Sequence, residues 1–400
     1  MKHLSVRPIR DYCLGIYDGP HATPKDSDDG PIFLGIKNIT EDGRLDFSEI
    51  RHVSENEFSK WTRRVSPQPG DVVFTYEATL HRYAIIPDGF RGCLGRRVAL
   101  IRPDSSLTDS RYLLYFFLSH GWRKVVEGNV ISGATVDRIP LERFPSFPAA
   151  IPSLPVQREV ASILSTYDDL IENNRRRMAL LEESARLLYR EWFVRLRFPG
   201  HEHTRIIDGV PEGWERTTLG NLCKEIRELV LPDEVEPDTP YIGLEHMPRR
   251  SISLNEWGKA EQVTSGKHLF RAGEILFGKI RPYFHKVGIT FVDGVASSDT
   301  IVMRPLEKKL RGLALMTVSS DEFIALTAQT MKEGSKMPRA DWKQMQQYSV
   351  QLPPDGLLSS FDSVIQDIIG QLKTLSFTNQ KLRAARDLLL PRLMSGEIAV

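Results

Sequence analysis

The amino-acid sequence predicts an α+β protein with two mixed α/β domains in tandem repeat, joined and spaced by two long antiparallel helices. Three observations carry that expectation. The stretch from Pro155 to Phe193 holds neither Gly nor Pro after its first residue, and its apolar side chains recur at Val160, Ile163, Tyr167, Leu170, Met178, Leu181, Ala185, Leu188 and Trp192. Steps of three and four put them on one stripe of a helix about 57 Å long. A second stretch, Leu357 to Leu390, keeps the same rhythm at Leu358, Phe361, Ile365, Ile368, Leu372, Leu375, Leu382 and Leu389. The third observation is internal repetition. QPGDVVF (68–74) matches RAGEILF (271–277), VALIRP (98–103) matches TIVMRP (300–305), and ISGATVDRIPLERF (131–144) matches EGSKMPRADWKQM (333–345). The offset is 203 at Gly70/Gly273, 202 at Pro103/Pro305 and 201 at Gly133/Gly334, so the chain is a duplication.

Taken in order, residues 1–150 read as short strands at 31–39, 71–77, 82–87 and 96–103, separated by Gly, Pro and Asp. One helix, 111–127, packs on them through Leu113, Leu114, Phe117 and Leu118. Residues 151–195 form the first long helix and 196–215 a Gly-, Pro- and His-rich linker. Residues 216–350 repeat the first domain, with strands at 240–247, 274–294 and 299–305 and a helix through 313–333. Residues 351–400 hold the second long helix, with Pro391 and Gly396 as its stop signal. The stripes imply that the helices pair with each other through Ile163, Tyr167, Leu170, Asn174, Leu181 and Leu188 on one and Phe361, Ile365, Ile368, Leu372, Leu375 and Leu382 on the other. Glu159, Asp168, Asp169, Glu172 and Glu182 fall mostly off the stripe, on the wet side. Asn174 interrupts the seam, either as a register-setting polar residue or as a merely exposed one.

Composition bounds the function. At 41% hydrophobic and 26% charged, 400 residues suffice for two or three cores, and a net charge of +1 advertises no polyanion partner globally. Cys13, Cys93 and Cys223 are odd in number and far apart, which excludes a disulfide framework and fits a reducing cytosol. No apolar run is long enough to span a bilayer, so a membrane is not an expected partner.

Positive charge is concentrated locally, in equivalent places of the two repeats. Between His81 and Arg102, Arg82, Arg91, Arg96, Arg97 and Arg102 face one acid, Asp88. Between Arg271 and Lys286, Arg271, Lys279, Arg281 and Lys286 face Glu274 alone. Tyr76, Tyr83, Tyr283, Phe284, His81 and His285 are interleaved with them. Basic loops with planar side chains suit phosphate neutralisation and base-edge contact. A solvated charged face is the plain alternative for either cluster alone, and its recurrence in register across a duplication weighs against that.

Catalytic patterns are missing. There is no G-x-G-x-x-G after a strand, no G-x-x-x-x-G-K-[ST], and no Asn-Pro-Pro-aromatic tetrapeptide. GFRGCLG (89–95) has the wrong spacing, and a turn explains it. His201 and His203 lack further metal ligands nearby, the acids at 233–236 lack a following E-x-K, and His21 has no nucleophile beside it. The chain does not read as an enzyme.

The chain resembles the DNA specificity subunit of type I restriction-modification systems. The resemblance spans essentially the whole sequence and is carried by IYDGPHATP (16–24), QPGDVVF, RAGEILF, the long string 151–202, VPEGWERTTLG (210–220) and LLLPRLMSGEI (388–398). It implies two target-recognition domains held by two helices, bound to double-stranded DNA at a bipartite site, to two methyltransferase subunits and to motor-endonuclease subunits. S-adenosylmethionine, ATP and Mg are expected on those partners and no cofactor on this chain, in the cytoplasm. One departure is PPDGLLSSF, where the second helix start lacks the glutamine that Gln157 supplies in the first.

Both lines of reasoning nominate DNA contacts: Thr75, Tyr76, His81, Arg82, Arg91, Arg96, Arg97, Thr135 and Arg138 in the first domain, and Lys279, Arg281, Tyr283, His285, Lys286, Ser335, Lys336 and Arg339 in the second. Two other classes stay open: a protein-interaction adaptor without DNA binding, and a metal-dependent nuclease with scattered acids.

Overall fold

The computed structural model describes residues 5–133, 136–329 and 339–400. Among them the α-helices are α1 (Glu55–Trp61), α2 (Ser110–Leu118), α3 (His120–Glu127), α4 (Leu154–Tyr189), α5 (Arg311–Val318), α6 (Asp321–Gln329), α7 (Trp342–Met345) and α8 (Asp355–Ser395). The chain divides into two compact units, one of Met1–Leu170 with Leu382–Val400, the other of Ile171–Lys381. Each long helix is therefore shared between the units.

The first unit is built on a four-stranded antiparallel sheet in the order Cys13–Asp18, Val98–Pro103, Val72–Thr75, Tyr83–Ile85. Its central strand is buried throughout because both faces are covered, and alternation assigns each side chain to one face. Val72 and Phe74 join Tyr83, Ile101, Trp122 and Phe144 in the core under the helices. Val73 joins Ala84, Leu100, Leu34 and Leu94 in a second core. Ser27–Leu34 and Gly92–Leu94 supply that second layer, pairing parallel with each other. The single helix expected over 111–127 is two helices. Ser119 takes extended backbone (ψ 150°) and its hydroxyl accepts the Trp122 N–H at 3.3 Å, as a helix N-cap does. The break carries Trp122 into the core, where its indole donates to the Tyr83 hydroxyl at 3.1 Å.

The second unit repeats the plan. A five-stranded sheet runs Cys223–Ile226, Thr300–Pro305, Ile275–Gly278, Val287–Thr290, Ser253–Leu254. Ile275 and Phe277 face the helices, and Leu276 faces Ile242, Phe270 and Val302 of the other layer. The helix expected over 313–333 is likewise broken, here between Val318 and Asp321, where the Ser320 hydroxyl accepts the Phe323 N–H at 3.2 Å.

Within the second unit α4 and α8 run antiparallel. Asn174 donates to the Asn379 side-chain oxygen at 2.9 Å, while Phe193, nineteen residues further along α4's chain direction, meets Phe361, which precedes Asn379 on α8, with ring centroids 4.8 Å apart. In the first unit Val160, Ala161 and Leu164 of α4 share a core with Leu393 of α8, and Arg386 pairs with Asp168 at 2.5 Å. Phe361, Ile365, Ile368, Leu372 and Leu375 of α8 are buried, in one core with Met178 and Ala185 of α4. Leu170 is not: it is 46% exposed. The buried positions of α4 include Gln157, Val160, Leu164, Ile171, Asn174, Met178 and Ala185, whose steps of three, four and seven residues turn Leu170 outward, with Ile163, Tyr167, Leu181 and Leu188 half-buried on the flank. Glu182, read as a wet residue, is buried, and its carboxylate accepts the Ser251 and Ser253 hydroxyls, each at 2.7 Å. Pro391 does not stop α8 either. The helix runs to Ser395 and ends at left-handed Gly396 (φ 71°), because a proline removes one N–H while Leu393 stays packed in the core.

The missing glutamine has a structural counterpart. Gln157, fully buried, accepts the Asp109 N–H at 2.9 Å ahead of α2 and donates to the Leu107 and Pro152 carbonyls. In the second unit Asp362 accepts the Gly312 N–H at 2.8 Å in the first turn of α5. Both long helices thus satisfy an otherwise orphaned donor at the start of a neighbouring helix, the second from further along its length.

Candidate nucleic-acid interface

Each unit contains a hairpin whose loop is gripped by a segment some way further along the chain, around Ile139 in the first and Ala340 in the second. In the first, the loop 76–82 joins Val72–Thr75 to Tyr83–Ile85. The Ile139 N–H donates to the Tyr76 carbonyl (2.7 Å), the Ala78 N–H to the Asp137 carbonyl (3.1 Å), and Glu77 and Arg138 form a β-bridge. In the second, the loop 279–286 joins Ile275–Gly278 to Val287–Thr290. The Ala340 N–H donates to the Lys279 carbonyl (2.9 Å), and Ile280 and Arg339 form the matching bridge. Two stretches nominated separately from the sequence thus meet in both halves, with Arg138 and Arg339 at equivalent places. Thr135, Ser335 and Lys336 lie outside the described residues.

The backbone is shared and the side chains are not. Arg97 and Asp299 occupy one structural position, since their carbonyls accept the N–H groups of Tyr76 (3.2 Å) and Lys279 (2.7 Å). In the first unit Arg97 sits 2.8 Å from Glu77, out of line for a hydrogen bond. In the second unit the charge is reversed, and Asp299 pairs with Arg339 at 3.2 Å.

Several of the residues expected to touch DNA are covered or engaged within the chain. Thr75 is fully buried and Tyr76 nearly so, because the strand that carries them is covered on both faces. His285 is 5% exposed, and its Nε2 donates to the Ser319 carbonyl at 2.8 Å. His81 is largely covered, 3.8 Å from Glu127. Burial holds both histidines below the usual imidazole range. Lys279 and Lys286 donate to the Ser298 (3.0 Å) and Leu244 (2.6 Å) carbonyls, and burial lowers both ammonium groups. The apparent excess of charge in the first cluster is mostly neutralised by acids distant in sequence: Arg82 pairs with Glu41 at 3.2 Å, Arg91 pairs with Glu55 of α1, and Arg102 grips buried Asp71 at 2.8 Å. Arg91 also precedes a strand of the second layer, away from the hairpin. What remains outward-facing is Arg96, Arg138, Arg281, Arg339 and Tyr283, the last 52% exposed.

Two contributors were not nominated. Arg249 lies 4.2 Å from the Phe284 ring centre and Arg281 5.9 Å from it, so two guanidinium groups share one aromatic ring at the tip of the second hairpin. The PRR run at 248–250 was the available signal. In the first unit an open cleft of about 470 Å³ lies beside the bridge, lined by Tyr17, Asp18, His21, Glu77, Arg138 and Arg143 among others, with His21 3.1 Å from Asp18. Among the described residues no group of three or more His, Cys, Asp or Glu side chains could hold a metal ion, and no helix is long and apolar enough to cross a membrane.

Comparison with known proteins places this geometry. Residues 33–183 match the type I restriction modification DNA specificity domain. The chain is 23% identical over 374 residues to the type I restriction enzyme MjaIX specificity subunit of Methanocaldococcus jannaschii, covering 88% of this chain and 82% of that one. It is 23% identical over 291 residues to the EcoDI specificity subunit of Escherichia coli, covering 65% and 62%. The fold matches the crystal structure of the type I restriction-modification S subunit from M. genitalium with a TM-score of 0.54 at 14% identity, over 97% of this chain and 95% of that one. The class defined here is that of tandem-repeat proteins carrying a DNA specificity domain on paired long helices. Within it, the chain is similar over most of its length to specificity subunits of type I restriction enzymes, and residues 33–183 carry the match to their DNA specificity domain.

Proposed function

We propose that this chain reads an asymmetric bipartite site on double-stranded DNA, each unit contributing one hairpin-and-bridge reader to one half-site, and that α4 and α8 set the unread spacer. The observation that carries the reading is the doubled reader with different side chains: one backbone construction presents Arg97 and Glu77 in one copy and Asp299 and Ile280 in the other, which suits two unrelated half-sequences. Arg138 and Arg339 hold the same place in both and suit a contact each half needs. A helix of 36 residues such as α4 spans about 54 Å, more than one DNA turn of about 34 Å, which supports separated half-sites.

Catalysis falls to partner subunits, with S-adenosylmethionine, ATP and Mg bound there. Docking of two methyltransferase subunits along the helices is supported by leucines that face outward from the seam, Leu170, Leu180 and Leu187 on α4 and Leu388 on α8, exposed by 43–71%. Motor-endonuclease subunits would join that complex for cleavage.

Mapping of methylated bases in cells that carry the system tests the reading. The expected motif has two unrelated halves around a fixed gap; a single contiguous or palindromic motif refutes it. Arg138→Ala and Arg339→Ala should each weaken binding by about 1–3 kcal/mol, and each should degrade a different half of the motif.

A further inference from the structure

The last residue but one of each hairpin loop is a left-handed histidine. His81 has φ 62° and His285 φ 54°. In each case the next residue closes the hairpin: the Arg82 carbonyl accepts the Thr75 N–H (3.1 Å), and the Lys286 carbonyl accepts the Gly278 N–H (2.8 Å). The two histidines are therefore the same residue of the duplicated loop. A left-handed residue with a Cβ is strained, and it persists where its surroundings over-determine it.

The surroundings differ: a hydrogen bond from the ring to the neighbouring helix start is formed by His285 and not by His81. His285 is held through ring and backbone at once. Its Nε2 donates to the Ser319 carbonyl just ahead of α6, and its Nδ1 lies 3.6 Å from Asp321, the first residue of α6. Its carbonyl accepts the Arg250 N–H at 2.9 Å, and the Arg250 guanidinium donates to that same Asp321 at 2.9 Å. His81 lies against α3, the corresponding helix of the first unit, with Nε2 3.8 Å from Glu127 at its last residue, too far for a hydrogen bond, and with its Nδ1 unpartnered among the described residues. In the second unit the loop tip between the helix and the anchor carries the outward groups, Arg281 and Tyr283.

We propose that His285 is a positioning residue: it touches no DNA, and it fastens the second reading loop to the start of α6 so that the outward side chains keep one orientation. This rests on the DNA-reading function proposed above. It replaces direct base contact by His285, which its burial opposes.

The test uses the full chain co-expressed with its methyltransferase subunits, selecting bound duplexes from a randomised library and sequencing them. Wild type should return two half-motifs. His285→Ala and His285→Gly should each lower second-half affinity about tenfold, roughly the scale of one lost anchoring hydrogen bond, with the first half intact and the preferred bases unchanged. His285→Gln, whose amide nitrogen can stand where Nε2 stands, should recover most of the loss and keeps the test alive if the smaller variants do not fold. Wild-type behaviour of both His285→Ala and His285→Gly overturns the proposal. So does full recovery in His285→Gly alone, which would make the strained backbone and not the ring responsible, or a changed base preference at one position, which would make His285 a reader. Arg281→Ala separates the two levels. If it erodes the second half-motif while every His285 variant keeps it, DNA reading stands and the anchor falls; if wild type selects no motif, both fall.

Discussion

Replacing Asn174 by leucine probes the helix seam where it is most specific. Asn174 and Asn379 are 8% and 5% exposed, and the 2.9 Å bond between their side chains is a contact between two carboxamides buried in an apolar seam. Asn174→Leu removes the partner of a carboxamide that water does not reach. The lost bond and the orphaned polar group together cost about 1–3 kcal/mol, and Asn379→Leu should cost about the same. The double variant orphans nothing and adds two buried leucines, each worth about 1.5–3 kcal/mol of apolar transfer, so it should be at least as stable as wild type. Urea unfolding of all four proteins gives the coupling, expected to reach at least the two single costs together, about 2–6 kcal/mol, in favour of matched pairs. If either single variant is as stable as wild type, the carboxamides are not a mutually satisfied buried pair and the register argument built on them fails. The stable double variant should also lose specificity, since an all-apolar seam fixes the helix register less sharply. In methylation mapping it should tolerate a second spacer length.

Gln157→Ala strips partners from the Asp109 N–H and from the Leu107 and Pro152 carbonyls, and should destabilise by about 2–4 kcal/mol in urea unfolding. The covered histidines also predict acid sensitivity. Burial lowers the pKa of His81 and His285 from 6.5 in the folded chain, so the unfolded chain takes up protons first and stability declines as pH falls below about 6.5. Melting temperatures measured from about pH 8 to pH 5.5 should show that decline, and His285→Gln should flatten part of it.

Much of this architecture is legible in the sequence because duplication and periodicity are properties of order along the chain. The offset near 200 residues finds the two readers, and the three-four rhythm finds α4 and α8. What the sequence hides is what meets across space. Arg82 and Arg91 look unopposed along the chain, yet Glu41 and Glu55 fold against them from about 40 residues upstream. A local charge count therefore overstates the basic character of the first loop, and Arg138, nominated less for its charge than for its place after a repeated glycine, is the better candidate for an open cation. Burial works the same way on the histidines. A histidine in a basic, aromatic-rich loop reads as a DNA contact, and nothing in the string says that the loop needs a fastening. The tie to α6 becomes visible only when φ and the Ser319 carbonyl are known. The recurrence of a histidine near the end of both loops was present all along, and it discriminates where charge does not. A side chain that reads bases should diverge between two halves that read different sequences, as Arg97 and Asp299 do, while one that holds the loop's shape can stay the same in both.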